Sequence, residues 1–264
     1  MDQKKEWLEL YNEKKKIMCP ESSLEKYFTE EYIEDVKLKV VNLGKLKFTS
    51  GEIIITDPVY YFEDLTYAPI LDKVPAGEYD VFASFSEESD KDGEYHTLIA
   101  LKVQFTNNAP VTYREVVTGE ESIEVLQDIE VQGDLIGIDV YANKTCIMDR
   151  DTAEELADYA VKHAEEDEEF DIEYDLYADE LTKAVADNKK VGLNVNHGLC
   201  SLFSPISSNK NMLIVSDIYE DDENNSIDYY PAYIAEDKDG NVCQLVLQFY
   251  DLELEPADED DVEE

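Results

Sequence analysis

Alternating apolar and polar residues predict β-sheet in the middle of the chain and again near its end. Apolar side chains occupy every second position in the segments 79–85, 99–105 and 243–249, which is the period of a strand with one buried face. Two Asp-Lys-Asp-Gly segments, 90–93 and 237–240, precede the last two of these strands and are typical of hairpin turns. We expect an antiparallel sheet with one face in water, because Lys102 and Gln104 alternate with the apolar residues of their strand. Further strands are predicted at 52–56, 123–131, 135–141, 193–203, 212–216 and 229–235.

The beginning of the chain follows a helical period instead. Cys19-Pro20 is expected to end a first helix. The apolar residues on one face of that helix are Trp7, Leu10, Tyr11 and Met18. Ser22 and Glu25 have the spacing of a capping box and predict a second helix. Its apolar stripe is formed by Leu24, Tyr27, Phe28 and Tyr32.

Two more helices are predicted between the strand groups. Thr152 and Glu155 form a second capping box before an apolar stripe that ends at Ala164, and the segment 175–188 has a similar stripe. The pattern predicts an α+β fold: a mainly antiparallel, sandwich-like β body, with N-terminal helices and two helices inserted between strand groups. The expected domains are a helical arm (1–42), an α+β main domain (43–251) and an acidic disordered tail (252–264).

The charge of the chain narrows its range of partners. The 264 residues include 22 Lys and Arg against 64 Asp and Glu, a net charge of −42. Residues 1–50 are balanced, with ten acidic residues and ten lysines, so the surplus lies in the rest of the chain. Binding to nucleic acid or to an anionic membrane is excluded, since both need many basic side chains. The segments 165–180 and 251–264 contain no base and fit either solvated segments or a docking surface for a basic partner.

The compartment predicted from the sequence is the cytoplasm. The first residues contain no apolar run of signal-peptide length, and no stretch is long and apolar enough to span a membrane. The four cysteines are far apart and have apolar neighbours, which favours buried thiols over disulfides or a metal site. They are Cys19, Cys146, Cys200 and Cys243.

Several fragments together resemble a bacterial family, domain of unknown function 4241. In order along the chain they are Ser50 to Pro58, Val74 to Tyr79, Gly137 to Asp139, Cys146 to Asp149, Tyr230 to Tyr233, Asp239-Gly240 and Phe249. The resemblance implies a soluble, mainly β protein, offers no catalytic residues to transfer, and associates some relatives with toxin and immunity neighbourhoods. Turn and cap chemistry accounts for the shared residues. They are Gly51, Asp57, Pro58, Pro75, Gly77, Asp139, Asp149, Pro231 and Gly240.

Searches for catalytic and metal-binding motifs give few candidates. His197 and Cys200 are close enough in sequence for a thiol nucleophile and its base, but no third partner is defined. The segment 237–241 resembles a calcium loop superficially, yet its glycine is misplaced and the bidentate glutamate is missing. No cofactor and no metal ligand are predicted. Whether the chain has any catalytic activity stays open, with no activity as the favoured answer.

The function predicted first is that of a non-enzymatic cytosolic binding protein, such as an immunity protein that neutralises a basic toxin domain through an acidic face. The expected partner-binding residues are Glu220, Asp221, Asp222, Glu223, Asp228, Tyr229 and Tyr230. One alternative is an enzyme or small-ligand-binding protein with a carboxylate site near Asp57, Asp139 and Asp149. Another is a divalent-cation-binding domain, or a structural domain whose charge serves solubility. The oligomeric state is left open.

Overall fold

A computed structural model describes residues 3–58, 68–91, 93–140, 143–167, 169–207, 209–216, 218 and 229–253. Its helices are α1 (Gln3–Lys14), α2 (Lys26–Thr29), α3 (Ile123–Asp128), α4 (Arg150–Glu166), a π-helical turn (Glu173–Tyr177) and α5 (Ala178–Lys190). The strands of the first half are β1 (Tyr32–Ile33), β2 (Val36–Phe48), β3 (Ile53–Thr56), β4 (Gly77–Asp90), β5 (Gly93–Gln104), β6 (Thr112–Glu115) and β7 (Ile138–Asp139). Those of the second half are β8 (Lys144–Asp149), β9 (Val195–His197), β10 (Leu199–Phe203), β11 (Met212–Ser216), β12 (Tyr229–Tyr230), β13 (Ala232–Glu236) and β14 (Val242–Gln248).

Two sheets pack face to face and confirm the predicted α+β class. The larger sheet has the order β1-β2-β4-β5-β14-β13-β6, with β9 beside one end of β5, and the smaller has the order β10-β11-β8-β3. Apart from the parallel β5–β9 pair, the strand pairs in both sheets are antiparallel. The main core lies between the sheets, where residues such as Val81 and Leu101 meet Ile147 and Leu213. Both predicted hairpins are present, since Asp90 pairs with Gly93 and the 237–240 turn joins β13 to β14.

The helices inserted between strand groups cover the outer face of the smaller sheet. Leu156 of α4 and Tyr177 of the π-helical turn pack on Ile54, Met148 and Ile214. The apolar stripe predicted for α4 is confirmed at its centre, but Val161 is exposed. Asp149 caps α4 by accepting from the Asp151 N–H at 3.0 Å, so the capping box predicted at Thr152 is wrong.

The N-terminal segment packs on the β body. Trp7 and Tyr11 of α1 are buried against Leu126 of α3. The helix predicted over 22–32 shrinks to the four residues of α2, and the Glu25 side chain at its N-cap makes no capping hydrogen bond. The carboxylate of Glu25 instead accepts from Lys102 Nζ at 3.0 Å and from Gln244 Nε2 at 2.9 Å.

Two expectations about this part of the molecule differ from the structure, and a third lies largely outside the described residues. Lys102 is buried under α2, so the outer face of the larger sheet is dry at this point. The expected boundary between residues 42 and 43 falls inside β2, which runs from Val36 to Phe48. The tail expected at 252–264 lies outside the described residues from position 254 onward.

The strand predicted at 123–131 is wrong, because a helix occupies its first six residues. Ser122 accepts a hydrogen bond from the Val125 N–H at 3.2 Å and so caps α3. Leu126 is the buried residue of this short helix. Among the described residues, no helix combines the length and the apolar character that a membrane crossing requires.

Candidate functional site

An acidic pocket opens where β3 ends. Its volume is about 270 Å³, and carboxylates of Asp57, Glu121 and Asp139 line it. Asp57 directly follows β3 and is 2% exposed, whereas Asp139 belongs to β7 and is exposed. Apolar side chains form the floor, among them Ile55, Val116 and Ile138. No lysine or arginine lines this acidic pocket within the described part of the chain, so it is a negatively charged cavity with an apolar base.

Strand β7 lines one side of the acidic pocket and pairs with β12. Asp139 pairs with Tyr229, and Ile138 pairs with Tyr230. Gly137 has a φ of +80°, and a Cβ atom at this position would lie 2.5 Å from Cδ2 of Tyr229. Only glycine lets the Tyr229 ring lie directly on this backbone. Because Tyr229 remains 47% exposed, it adds aromatic contact area beside the acidic pocket.

Glu115 stabilises the Ile136–Gly137 side of the acidic pocket from inside the protein. This β6 residue is buried, and its Oε1 accepts from the N–H groups of Ile136 at 2.9 Å and Gly137 at 2.6 Å. Burial raises the pKa of the Glu115 carboxyl to about 7, although both backbone donors act in the opposite direction and the charge of Glu121 adds to the rise. Since Oε1 can accept both bonds, Oε2 is able to carry a proton without releasing the loop.

Glu121 accepts hydrogen bonds within its own turn at the edge of the acidic pocket. Its Oε1 accepts from the Thr118 N–H and hydroxyl, and its Oε2 accepts from the Gly119 N–H at 2.8 Å. Asp57 and Asp139 are the other two carboxylates in the lining of the acidic pocket. The sequence singles out both of these aspartates but not Glu115 and Glu121, since nothing in the local sequence separates these two from the other acidic residues.

Asp149 does not belong to the acidic pocket. It pairs with Ile53 at the beginning of β3, whereas Asp57 follows the last residue of that strand, about 13 Å away at a strand rise of ~3.3 Å per residue. The Asp149 side chain is fully buried and accepts from Ser50, Gly51 and Asp151 N–H groups and from the Thr49 and Ser50 hydroxyls. The three-aspartate site is thus corrected to two aspartates and one helix cap.

The partner surface predicted around residue 220 is only partly described. Glu220, Asp221, Asp222, Glu223 and Asp228 lie outside the described residues.

Its two tyrosines have different places. Tyr229 is exposed at the acidic pocket, as described above. Tyr230 is 1% exposed, shares a hydrogen bond with Thr145 Oγ1, and packs with its ring centroid 5.0 Å from that of Phe249. The assignment of Tyr230 to an exposed contact surface is therefore wrong.

A sequence model of one protein family matches residues 46–247, most of the chain; its description is protein of unknown function, DUF4241. The chain belongs to the DUF4241 family. No curated protein and no solved structure matches the chain.

Within this DUF4241 chain, several of the shared residues have local structural roles. Gly51 has a φ of +76°, and a Cβ atom there would meet the Val74 carbonyl oxygen at 2.0 Å. Pro75 accepts a 2.5 Å hydrogen bond from the Tyr79 hydroxyl just beyond Gly77. Pro231 separates β12 from β13. These contacts support the structural interpretation of the fragments, while Asp57 and Asp139 line the acidic pocket.

The burial of Cys200 contradicts the hypothesis that this DUF4241 chain uses it as a thiol nucleophile with His197 as the base. Cys200 is 4% exposed, and its Sγ donates to the Gly198 carbonyl at 3.4 Å. Burial raises the pKa of the Cys200 thiol far above its ordinary value. A nucleophilic cysteine needs the opposite shift.

The turn at 237–241 uses its carboxylate internally. Asp237 accepts from the N–H groups of Asn241 and Asp239, both at 2.9 Å, and from the Asn108 amide. These bonds lower the pKa of Asp237 to about 2, with the Asn241 N–H as the main cause. The conformation of the turn also relies on Gly240, whose φ is +78°. The contacts are those of a hairpin turn and not of a calcium loop.

One cluster outside the acidic pocket has metal-like composition. Glu87, Glu94 and His96 bring one ligand atom each within 4.8 Å of one another. However, the Asn194 N–H donates to His96 Nδ1 at 3.3 Å, which leaves the proton of a neutral ring on Nε2. Lys39 Nζ already lies 3.5 Å from that nitrogen. The cluster is therefore arranged for hydrogen bonds and ion pairs.

Proposed function

We propose that this protein is a non-enzymatic binding protein that receives a lysine or arginine side chain of a basic partner protein in the acidic pocket. The observation that carries the proposal is that Asp57 and Asp139 line one cavity beside the exposed ring of Tyr229. An immunity protein that blocks a cationic toxin domain is the specific form of this function that we favour.

The size and lining of the acidic pocket support a side chain as its occupant. Its volume of about 270 Å³ lies below the ~300–1,000 Å³ that is usual for pockets enclosing drug-sized ligands. Long cationic side chains have an apolar stem and a charged end. The floor of Ile55 and Val116 suits the stem, and the carboxylates of Asp57 and Asp139 suit the charge.

The charge of the whole chain supports the same choice of partner. A net charge of −42 attracts a basic surface and can raise association rates by about 10- to 1,000-fold at low salt. Tyrosine is enriched at protein interfaces because one residue supplies a large and rigid contact area. Tyr229 provides that area next to Asp139.

Small cations are the second candidate for the same cavity. The enzyme alternative with three aspartates loses Asp149, which is fully occupied as a helix cap. A free guanidinium or ammonium compound would use Asp57 and Asp139 in the same way as a side chain does. The two candidates differ in whether Tyr229 contributes contact area to a protein.

The first experiment tests the acidic pocket itself by calorimetric titration with L-argininamide. We expect saturable binding that weakens by about tenfold or more in the Asp139→Asn and Asp57→Asn variants, because each loses a hydrogen bond between charged groups. Citrulline amide, which has the same shape without the charge, should not bind. Asp158→Asn on the exposed face of α4 is the matched control, with the same change of charge far from the acidic pocket.

Equal binding of argininamide to the control and to both pocket variants would contradict the proposal. Asp139 is exposed, so its variant keeps the test valid even if the Asp57 variant folds poorly.

The second experiment concerns the partner. A basic protein that copurifies from the native host should associate more slowly as salt rises and should bind the Asp139→Asn and Tyr229→Ala variants more weakly. A rate independent of salt would exclude electrostatic steering.

A further inference from the structure

A second cavity lies beside the N-terminal segment, and lysine side chains line it. Its volume is about 580 Å³, and it runs between residues 15–23 and strand β6. We call it the N-terminal groove. Its lining includes Lys15, Lys16, Cys19 and Pro20 on one side and Val111 and Tyr113 on the other.

The N-terminal groove follows an edge of the larger sheet that the N-terminal segment covers at Glu115 and leaves accessible beside Tyr113. Strand β6 is the last strand of that sheet and pairs only with β13 among the described strands. The Val116 N–H donates to Ala232 of the strand region beside it, whereas the Glu115 N–H points the other way and donates to Met18. Because backbone groups alternate along a strand, the N–H and C=O of Tyr113 face the same side as those of Glu115. An extended peptide can add to such an edge.

The charge of the N-terminal groove is unusual for this protein. Within the described residues, neither Lys15 nor Lys16 has a carboxylate oxygen within 4.0 Å. The Arg114 guanidinium is held by Asp72 and Glu236 at the end of the groove. Two lysines with no carboxylate partner among the described residues therefore lie beside this strand edge in a chain with a net charge of −42. An acidic peptide is the occupant that matches them.

The described chain ends next to the N-terminal groove. The Tyr27 hydroxyl lies 3.2 Å from Asp251 Oδ1, and the Leu252 N–H donates to the same hydroxyl at 3.2 Å. Glu253 forms an ion pair with Lys26, whose Nζ also donates to Ser22 Oγ at 2.8 Å. Ser22 lines the N-terminal groove. The Lys26 side chain thus connects Glu253 to Ser22 in the lining of the groove.

The sequence beyond residue 253 is acidic and long enough to reach along the groove. Residues 254–264 contain seven Asp and Glu and no Lys or Arg. Eleven residues span up to about 36–40 Å when extended. Beyond Lys26, which pairs with Glu253, Lys15 and Lys16 in the lining of the groove offer further cations for these carboxylates.

We propose that residues 254–264 of the same chain dock in the N-terminal groove as an added strand on the edge of β6, held by Lys15 and Lys16. This inference goes beyond the proposed function and does not involve the acidic pocket. It gives the acidic C-terminal segment an intramolecular binding site.

Amide hydrogen exchange tests the docking directly. The full chain is compared with a chain that ends at Glu253, and the Tyr113 N–H is the reporter. If about 90% of molecules hold the segment docked, exchange at Tyr113 should become about tenfold faster after truncation. Exchange at the Val116 N–H should not change, because its bond to Ala232 does not depend on the segment.

Charge variants of the full chain make the test independent of truncation. Lys15→Glu with Lys16→Glu should release the segment and give the same fast exchange at Tyr113. Lys4→Glu with Lys5→Glu changes the charge of the same helical region equally but outside the groove, and should keep exchange slow. In about 1 M salt, where the screening length falls to ~3 Å, the protection should weaken strongly.

Two results would overturn the proposal. One is equal exchange at Tyr113 in the full and truncated chains. The other is protection that depends on protein concentration, which would assign the occupant of the groove to a second copy of the chain.

Discussion

The two ends of strand β3 each present a buried aspartate, and the neighbourhoods of the two residues are opposite. At one end, Asp149 receives five hydrogen bonds from residues 49–51 and 151 and caps α4. At the other end, Asp57 lines an acidic pocket with Asp139. Both aspartates belong to fragments that characterise the family resemblance. The difference shows that local donors surround one aspartate and give it a structural role, while the other borders a cavity.

The largest expected effect is on stability at the Asp149 end. Asp149→Ala leaves buried N–H and hydroxyl donors without their acceptor, and we expect a loss of about 3–5 kcal/mol in the free energy of unfolding. Asp139→Asn, at the exposed pocket end, should change it by less than about 0.5 kcal/mol. Urea unfolding of both variants measures the contrast. Similar losses in the two variants would remove the distinction between the two ends.

The second prediction concerns pH and the wall of the acidic pocket. The Glu115 pKa is raised from 4.5 to about 7, so the folded state binds more protons than the unfolded state between these values. Stability from this group therefore falls as pH rises from about 4.5 to 7, by roughly 3 kcal/mol in total. Glu115→Gln should remove this slope and stabilise the protein at pH 8. Glu121 and Tyr233 are the titratable groups coupled to Glu115 by charge.

Asp237 provides a control of opposite sign for the pH experiment. Its lowered pKa gives stability that is present above about pH 4 and lost as pH falls toward 2. Asp237→Asn should therefore destabilise the protein at pH 7 and leave the slope between pH 4.5 and 7 intact. A slope that survives Glu115→Gln would show that another group causes it.

The third prediction separates backbone strain from crowding at the acidic pocket. Gly137 and Gly240 have nearly equal φ values of +80° and +78°, but only Gly137 has the Tyr229 ring against it. Gly240→Ala should cost about 1 kcal/mol from the left-handed backbone alone. Gly137→Ala should cost more and should also displace Tyr229 and weaken argininamide binding. Equal effects of the two substitutions on stability and binding would mean that the contact with Tyr229 contributes to neither.

The smallest effect expected is a difference in thiol reactivity. Cys146, Cys200 and Cys243 are buried, whereas Cys19 is partly exposed in the N-terminal groove. Native protein treated with iodoacetamide should be modified at Cys19 before the other three, as peptide mass spectrometry can show. Early modification of Cys200 would instead support the hypothesis that Cys200 is a nucleophile.

Sequence periodicity predicts the parts of this fold that depend on local pattern. The β4–β5 and β13–β14 hairpins follow from alternation and turn residues, and α4 follows from its apolar stripe. The segment 123–131 was assigned to the wrong class because a short apolar run fits either a strand or a helix. Only the Ser122 cap favours the helix there.

The acidic pocket could be predicted only in part for a related reason. Asp57 and Asp139 are neighbours of recognisable turn or strand residues, and the sequence singled them out. Their convergence depends on the long-range packing of β3 against β7, which no local pattern encodes. The structural role of Glu115 depends on its hydrogen bond with Ile136, 21 residues further along the chain. The sequence groups Asp149 with Asp57 and Asp139 because it does not show such long-range contacts.

The most direct test of the central claim is a titration of the full chain with L-argininamide, followed by carbon NMR of the aspartate side-chain carboxyls. The account predicts that the Asp57 and Asp139 signals shift together along one saturation curve, while the Asp149 signal stays fixed. Signals of Asp57 and Asp139 that remain unchanged, while those of exposed residues such as Asp158 drift without saturation, would contradict it.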